Sequence, residues 1–219
     1  SIVVNSPGGS PVQSSLIAQK IREICAKKNI KCYCFIEDVA ASGGYWLACS
    51  ADEIYADVNS IVGSIGVISG GFGFTELIKK IGVERRIFTA GDNKSFLDPF
   101  EKVNKKDETK LKNLQKQIHQ NFIDWVTSRR KRKINEKDTK VVFSGSFWLS
   151  SQAKDLGLID GISSESNFFK LKFGEKIKIK KIKQPKSFKQ KLGLGISTLN
   201  SDDLLLKLKE ELLLNKFGL

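Results

Sequence analysis

The chain of 219 residues has no methionine, one histidine, four prolines and four cysteines. Each scarcity narrows the possibilities. A Ser-His-Asp triad has a single candidate histidine, His119, and it lies in a lysine-rich amphipathic stretch. Cys25, Cys32, Cys34 and Cys49 lack CxxC spacing and fall on apparent core elements, so they read as small buried hydrophobes rather than a disulfide or zinc framework. No metal and no cofactor is expected. There is no run of about 18 apolar residues and no signal peptide, so nothing in these residues spans a membrane. The chain opens on "SIVVNSPGG", inside a strand and without an initiator methionine. We therefore expect an upstream segment, able to carry a membrane anchor.

Basic residues are abundant: 37 Lys and Arg against 24 Asp and Glu give a net charge of +13. They are spread along the whole chain with no accompanying nucleic-acid motif, so the expectation is a solvated lysine-rich surface and no nucleic-acid partner. A face toward an anionic membrane is the other reading. A hydrophobic content of 40% is enough for a buried core.

Strand, turn and helix signals alternate. "IVV" (2–4) reads as a buried strand, and Ser10 and Pro11 as N-cap and first residue of a helix to about Lys28, with Leu16, Ile17, Ile21, Ile24 and Cys25 on one stripe. "KCYCFI" (31–36) is a strand, "SGGYWLACSA" a short helix, and "EIYA" and "VGSIGVI" strands. This order predicts an α/β fold with a parallel sheet and right-handed crossovers. Further on, 73–82 reads as a helix, "RRIFTA" (85–90) as a strand and 107 to about 130 as a long helix ending in basic residues. "KVVFSG", the helix "SSQAKDLG" and the strand-like "LIDGI" form a smaller unit. From Lys170 to Lys191 there are ten lysines and one glutamate, and "KIKIKKIK" alternates at period two, as an exposed strand does. The leucine stripe Leu204 to Leu214 predicts an amphipathic helix that needs a partner surface.

Two glycine-rich turns attract attention. In "SPGGSP" and "AASGG" a glycine pair follows a strand and opens a helix, where backbone N–H groups are unpaired and negative charge is favoured. The second turn would project Ser42 from the carboxyl edge of the sheet and offer the Gly43 N–H beside it. Both turns could converge on one carbonyl oxygen; taken singly, each also reads as an ordinary glycine turn with a capping serine.

"NSPGG", "DVAASGGYWLA", "GSIGV", "GVERRIFTAGDNKSFLDPF" and "VFSGSFWLSSQAKDLGLIDGI", in this order, resemble the signal peptide peptidase A (protease IV) family of serine peptidases, including its single-unit SohB-like members. The resemblance covers about residues 1–164. It implies a crotonase/Clp-like spiral of ββα units in a peptidase domain 1–164; beyond the resemblance, residues 165–219 read as a small basic C-terminal α/β extension with an amphipathic helix. The resemblance also implies a Ser-Lys dyad: Ser42 as nucleophile, Lys94 in "GDNKSFLDPF" as general base, and Ser64 in "GSIGV" orienting the lysine amine. The oxyanion donors it implies are the "PGG" turn, Gly9 in preference to Gly8, and the Gly43 N–H. On this reading His119 is a helix-surface residue without catalytic work.

A lysine acts as base only when neutral, and one titrating ordinarily near about 10.4 must be desolvated, away from carboxylates, to reach about 7 to 8. Phe96, Leu97 and Phe100 are candidate dry walls, and Asp92 and Asp98 must point away from Lys94. The resemblance further implies hydrophobic peptide substrates such as released signal peptides, cleaved through an acyl-enzyme. It implies a homo-oligomer enclosing its active sites, and a place at the bacterial inner membrane with the peptidase domain on the periplasmic face. The Leu204 to Leu214 stripe and the Phe168/Phe169 pair point to an oligomer as well, as apolar surface a monomer would leave uncovered. Two alternatives stand beside the peptidase: a crotonase-like acyl-CoA enzyme, and a catalytically idle membrane-associated scaffold.

Overall fold

The computed structural model describes residues 1–91, 93–130 and 133–182, together with Glu211, Leu212, Leu214 and Phe217. The elements in chain order are β1 (Ile2–Ser6), α1 (Pro11–Lys28), β2 (Tyr33–Ala41), α2 (Gly43–Ala48), β3 (Glu53–Ala56), β4 (Ile61–Gly63), α3 (Thr75–Lys80), α4 (Lys105–Arg130), α5 (Thr139–Val142), β5 (Phe147–Leu149), α6 (Ser150–Asp155), β6 (Gly161–Ile162) and α7 (Glu165–Phe173).

The nine residues of β2 organise the sheet. β1 runs parallel along one side of it, in register Val3 to Phe35. On the other side β3 pairs with its first half (Cys34 to Ile54) and β4 with its second half (Ala40 to Val62), both parallel. β6 extends the sheet beyond β3, again parallel. β5 pairs antiparallel with β4, so the α/β parallel arrangement holds with one antiparallel edge strand. Because the strands around β2 run the same way, their carboxyl ends gather at one place, where such sheets put their sites.

Local chemistry sets the helix ends. Ser10 Oγ accepts from the Gln13 N–H, Pro11 occupies the first turn, and Asn29 closes α1 in the left-handed region at φ 49°. At the start of α4, Asn104 Oδ1 accepts from the Asp107 N–H at 2.8 Å while Asn104 Nδ2 donates to Asp107 Oδ2 at 2.9 Å. α1 buries Ser14, Ala18 and Cys25, whereas Leu16, Ile17 and Ile24 of the apolar stripe stay exposed. The reason is closeness: a Cβ at Gly43 would lie 2.5 Å from Ser14 Oγ, so only small side chains fit where α1 meets α2.

The core joins Val39, Tyr45, Trp46, Ile54, Val62 and Ile65 to Phe122 and Val126 of α4 and to Val142 and Leu158. All four cysteines are buried and free. Several expected elements differ. "RRIFTA" forms no strand, "VGSIGVI" is a strand only to Gly63, and 176–182 are not a strand. The alternating run from 176 to 182 pairs with no strand among the described residues, and period-two alternation without a ladder partner does not make a sheet. Phe168 and Phe169, expected to be uncovered, pack against Tyr33, Phe35 and, for Phe168, Tyr55, so α7 docks on the sheet. The Leu204 to Leu214 stripe falls almost wholly outside the described residues, as does 183–191. No helix among the described residues is long and apolar enough to cross a membrane.

One buried ion pair ties α4 to the sheet. Arg130, 2% exposed, donates from Nη1 to Asp160 Oδ2 at 2.7 Å and from Nε and Nη2 to the Gly157 carbonyl at 3.0 and 2.7 Å. Asp160 Oδ2 also accepts from the Ile54 N–H at 2.8 Å. Burial pushes the Asp160 carboxyl up, but the hydrogen bond and charge of Arg130, then Lys133 and the Ile54 N–H, outweigh it and hold the group below the ordinary carboxylate range. A lowered carboxylate stabilises the fold fully above its unfolded pKa, and that stability is lost as pH falls through the folded value. Replacing Arg130 by Met should cost about 3 to 5 kcal/mol by stranding Asp160, and should flatten the loss of stability below about pH 4. Urea unfolding of both proteins between pH 7 and pH 2.5 checks it.

Candidate active site

Ser42 sits at the tip of β2, at φ 52° and ψ −121°, and α2 starts at the next residue. A non-glycine residue in this region is strained by about 1 to 3 kcal/mol and persists only where its surroundings impose it. Here they do. The Ser42 N–H donates to the Gly63 carbonyl at 2.8 Å and its carbonyl accepts from the Trp46 N–H at 3.0 Å, so strand β4 and helix α2 hold both sides of the peptide. Strained strand-to-helix turns of this kind present a serine hydroxyl to solvent in hydrolases.

Glycine lets the neighbouring turn close on it. Gly8 adopts φ 127°, and a Cβ there would lie 2.9 Å from Ser42 Cβ and 3.3 Å from Ser42 Oγ. A Cβ on Gly43 would approach the Gly9 nitrogen to 3.2 Å, and one on Gly44 would meet the Ser6 carbonyl oxygen at 2.4 Å. The two glycine turns therefore meet, backbone against backbone. Gly43 is the first residue of α2 and has no intrahelical acceptor, and no hydrogen bond among the described residues engages the N–H of Gly9 or Gly43. Both donors are free to serve an oxyanion beside Ser42.

Ser64 follows β4 at φ 54°, with its N–H donating to the Ser146 carbonyl at 2.7 Å. Ser42, Ser64 and Gly9 line one cavity of about 560 Å³, with Pro7 and Pro11 on one side, Gly66, Val67 and Ile68 along another, and Ser144, Gly145, His119 and Phe217 completing it. His119 is not a bystander on the helix surface. Half-buried on α4, it donates from Nε2 to the Ile65 carbonyl at 3.0 Å, the tautomer that a carbonyl acceptor requires, and so ties α4 to the turn that carries Ser64. Its ring, Ser144, Gly145 and Phe217 were not expected here. They come from α4, the loop before β5 and the C-terminal segment, and no local pattern places them beside Ser42. No acidic side chain and no Lys or Arg is among the residues that line the cavity.

Lys94 is placed elsewhere. It lies in an exposed turn and does not line the cavity that holds Ser42. The segment around it folds on itself: the Phe74 N–H donates to the Pro99 carbonyl at 2.7 Å, Arg85 pairs with Asp98 at 2.7 Å, and the Phe74 and Phe100 rings lie 5.6 Å apart. Asp98 thus points to Arg85, not to Lys94, and Arg85 followed by the Phe100 N–H holds its carboxyl below the ordinary range. Phe96 and Phe100 face Lys110 and Arg85 rather than forming a wall at Lys94. Asp92 is outside the described residues. Among the described residues no group of three or more His, Cys, Asp or Glu side chains could hold a metal ion.

Residues 25–173 match peptidase family S49. The chain is 53% identical over 181 residues to a protein of Brucella melitensis named Na(+)/H(+) antiporter NhaA, a match covering 83% of this chain and 24% of that one. It is 34% identical over 169 residues to a putative protease of Methanocaldococcus jannaschii, covering 77% of this chain and 53% of the relative. It is 31% identical over 175 residues to a putative signal peptide peptidase SppA of Enterococcus faecium, covering 80% and 50%. The chain thus spans about a quarter to a half of the length of these relatives.

The packing at Ser42 leaves no room for a methyl group on Gly8. Gly8→Ala should reduce the rate at which a fluorophosphonate labels Ser42 by at least about tenfold, given the strain and displacement it imposes. Gly70→Ala, where an added Cβ meets nothing within 4 Å, should leave labelling unchanged. Time-resolved labelling followed by peptide mass analysis measures both.

Proposed function

The chain belongs to peptidase family S49, and from that premise we propose that it is a serine endopeptidase in which Ser42 is the nucleophile, Lys94 the general base and Ser64 the group that orients the lysine amine. The observation that carries the nucleophile is the strained Ser42 turn meeting two unengaged N–H groups at the edge of a cavity. Ser42 Oγ attacks the peptide carbonyl carbon while neutral Lys94 takes the hydroxyl proton. The N–H groups of Gly9 and Gly43, with Gly8 shaping the turn, hold the oxyanion of the tetrahedral intermediate. The lysine ammonium then protonates the leaving amine, and water, activated by the same amine, hydrolyses the acyl-enzyme.

Lys94 must be brought to this site and dried, and assembly is the means we propose. From Gly66 to Asn121 no described residue is buried, although Phe72 and Phe88 are 82% and 93% exposed and Ile68 and Val103 are exposed too. An arm of this length with so much uncovered apolar surface fits a homo-oligomer, and the exposed Leu16, Ile17 and Ile24 on α1 add to that surface. Burial of the arm against a second copy would remove water from Lys94.

Hydrophobic peptides, such as released signal peptides, are the substrates that suit a cavity edged by Pro7, Pro11, Val67 and Ile68 and lined by no Asp, Glu, Lys or Arg. On this reading the protein works at the bacterial inner membrane with this domain on the periplasmic face. The acyl-CoA alternative is disfavoured because the cavity offers neither a carboxylate for acid/base work nor cationic side chains for a CoA phosphate. His119, the ionisable group that does line the cavity, has Nε2 committed to Ile65 and is proposed as a brace rather than the base.

Substitution separates the two candidate bases. Lys94→Ala should abolish peptide cleavage, and Lys94→Arg should fail equally, since a guanidinium does not deprotonate in this range. His119→Gln keeps a donor for the Ile65 carbonyl and should leave kcat/KM and its pH profile within about threefold of the parent, whereas Ser64→Ala should lose about ten- to a hundredfold. Mixing Ser42→Ala with Lys94→Ala protein should restore part of the activity where the dyad forms between copies. Substantial turnover by Lys94→Arg would assign the base elsewhere.

A further inference from the structure

The outer side of α7 and the run that follows it carry charged and apolar side chains that the site at Ser42 does not use. From residue 170 to residue 182 six lysines, Lys170, Lys172, Lys176, Lys178, Lys180 and Lys181, stand with a single glutamate, Glu175. All six are exposed, and Glu175 pairs with Lys170 at 3.4 Å. Large apolar side chains alternate with them in solvent. Leu171 is 80% and Ile182 96% exposed, and Phe173 and Ile179 are exposed as well.

The docking of α7 explains why these side chains are uncovered. Phe168 and Phe169 pack on Tyr33 and Phe35, and Lys172 Nζ lies 5.0 Å from the centre of the Tyr33 ring, so positions 168, 169 and 172 face the sheet. At about 100° per residue, positions 170, 171 and 173 then turn away from it. At the other end of the helix the Ser1 hydroxyl donates to Glu165 Oε1 at 2.6 Å. α7 therefore lies by the amino ends of β1 and β2. Ser42 follows the carboxyl end of β2, whose nine residues span about 26 Å, so this surface is separate from the cavity.

Composition selects the partner. A second copy presenting the same face would set lysines against lysines, and lysine is depleted from the cores of protein interfaces. A nucleic acid would take up the lysines and leave the apolar side chains in water. An anionic bilayer satisfies both. Its headgroup phosphates attract the lysines, while apolar side chains beside them enter the boundary between headgroups and acyl chains, about 5 to 10 Å deep.

We propose that residues 170–182 form a docking surface for an anionic phospholipid bilayer, with Leu171, Phe173 and Ile182 inserted and the lysine stems lying along the boundary. This surface stands independently of the peptidase reading.

The test measures partition of the full chain into large unilamellar vesicles by cosedimentation. Vesicles with about 30% phosphatidylglycerol in phosphatidylcholine should bind it at least about tenfold more tightly than phosphatidylcholine alone, and raising NaCl from about 0.1 M to about 0.5 M should weaken that binding. Lys176→Gln, Lys178→Gln, Lys180→Gln and Lys181→Gln together should lower the partition coefficient at least about a hundredfold, at roughly fivefold per lysine. Leu171→Ser with Ile182→Ser should lower it at least about tenfold. Both variants change exposed side chains, and circular dichroism confirms that each is folded. No preference for phosphatidylglycerol overturns the proposal, as does a folded lysine variant that binds as the parent does. Loss of self-association in the Leu171→Ser, Ile182→Ser protein with vesicle binding intact overturns it in favour of a second copy. Tighter binding of a DNA duplex than of the anionic vesicles, lost in the lysine variant, overturns it in favour of nucleic acid.

Discussion

The site depends on backbone-to-backbone contact between two turns. Gly8, Gly43 and Gly44 each stand where a Cβ would come within 3 Å of Ser42, Ser14 or Ser6. That closeness places the Gly9 and Gly43 N–H groups next to a serine held in a strained conformation. The strain is sustained because β2 is paired on both sides: β1 fixes the first turn, β4 supplies the Gly63 carbonyl to the Ser42 N–H, and α2 is anchored below by Tyr45, whose hydroxyl donates to the Leu158 carbonyl at 2.8 Å. Loosening any of these would let the serine relax toward an ordinary turn.

The molecule divides into a well-buried half and an open one. The sheet, α2 and the carboxyl-terminal half of α4 hold the core, and the Arg130–Asp160 pair with Tyr45 binds these layers together. The arm between Ile65 and Phe122 contributes nothing buried. Local hydrogen bonds and ion pairs give it shape, yet exposed ion pairs such as Arg86 with Glu84 contribute little to stability. A segment with so little of its own core is a natural place for contacts that form only on assembly.

His119 illustrates how a single residue changes meaning in three dimensions. On a helical wheel it belongs among lysines and glutamines. In the fold its ring closes the cavity of Ser42 while Nε2 braces the Ser64 turn through Ile65, one residue beyond that serine. No Asp, Glu, Lys or Arg side chain among the described residues lines this cavity, although the chain carries a net charge of +13.

Much was legible in order along the chain. The strand, turn and helix signals through residue 56, the Ser10 and Pro11 helix start, the buried cysteines and the two glycine turns are local properties, set by backbone sterics and hydrophobic period within a few residues. So was the motif series that marks peptidase family S49. What the sequence could not contain was partnership at a distance. "RRIFTA" and residues 176–182 read as strands but pair with none among the described residues, while Phe147–Leu149 becomes a strand because β4 lies beside it. The leucines and isoleucines of α1 looked like a core stripe, yet the approach of Gly43 to Ser14 turned the small side chains inward instead. Sequence alone thus determined the elements through residue 56 and the glycine turn that carries Ser42; tertiary structure decided which side chains share the cavity with Ser42, because that depends on how far apart strand ends and helices finally pack.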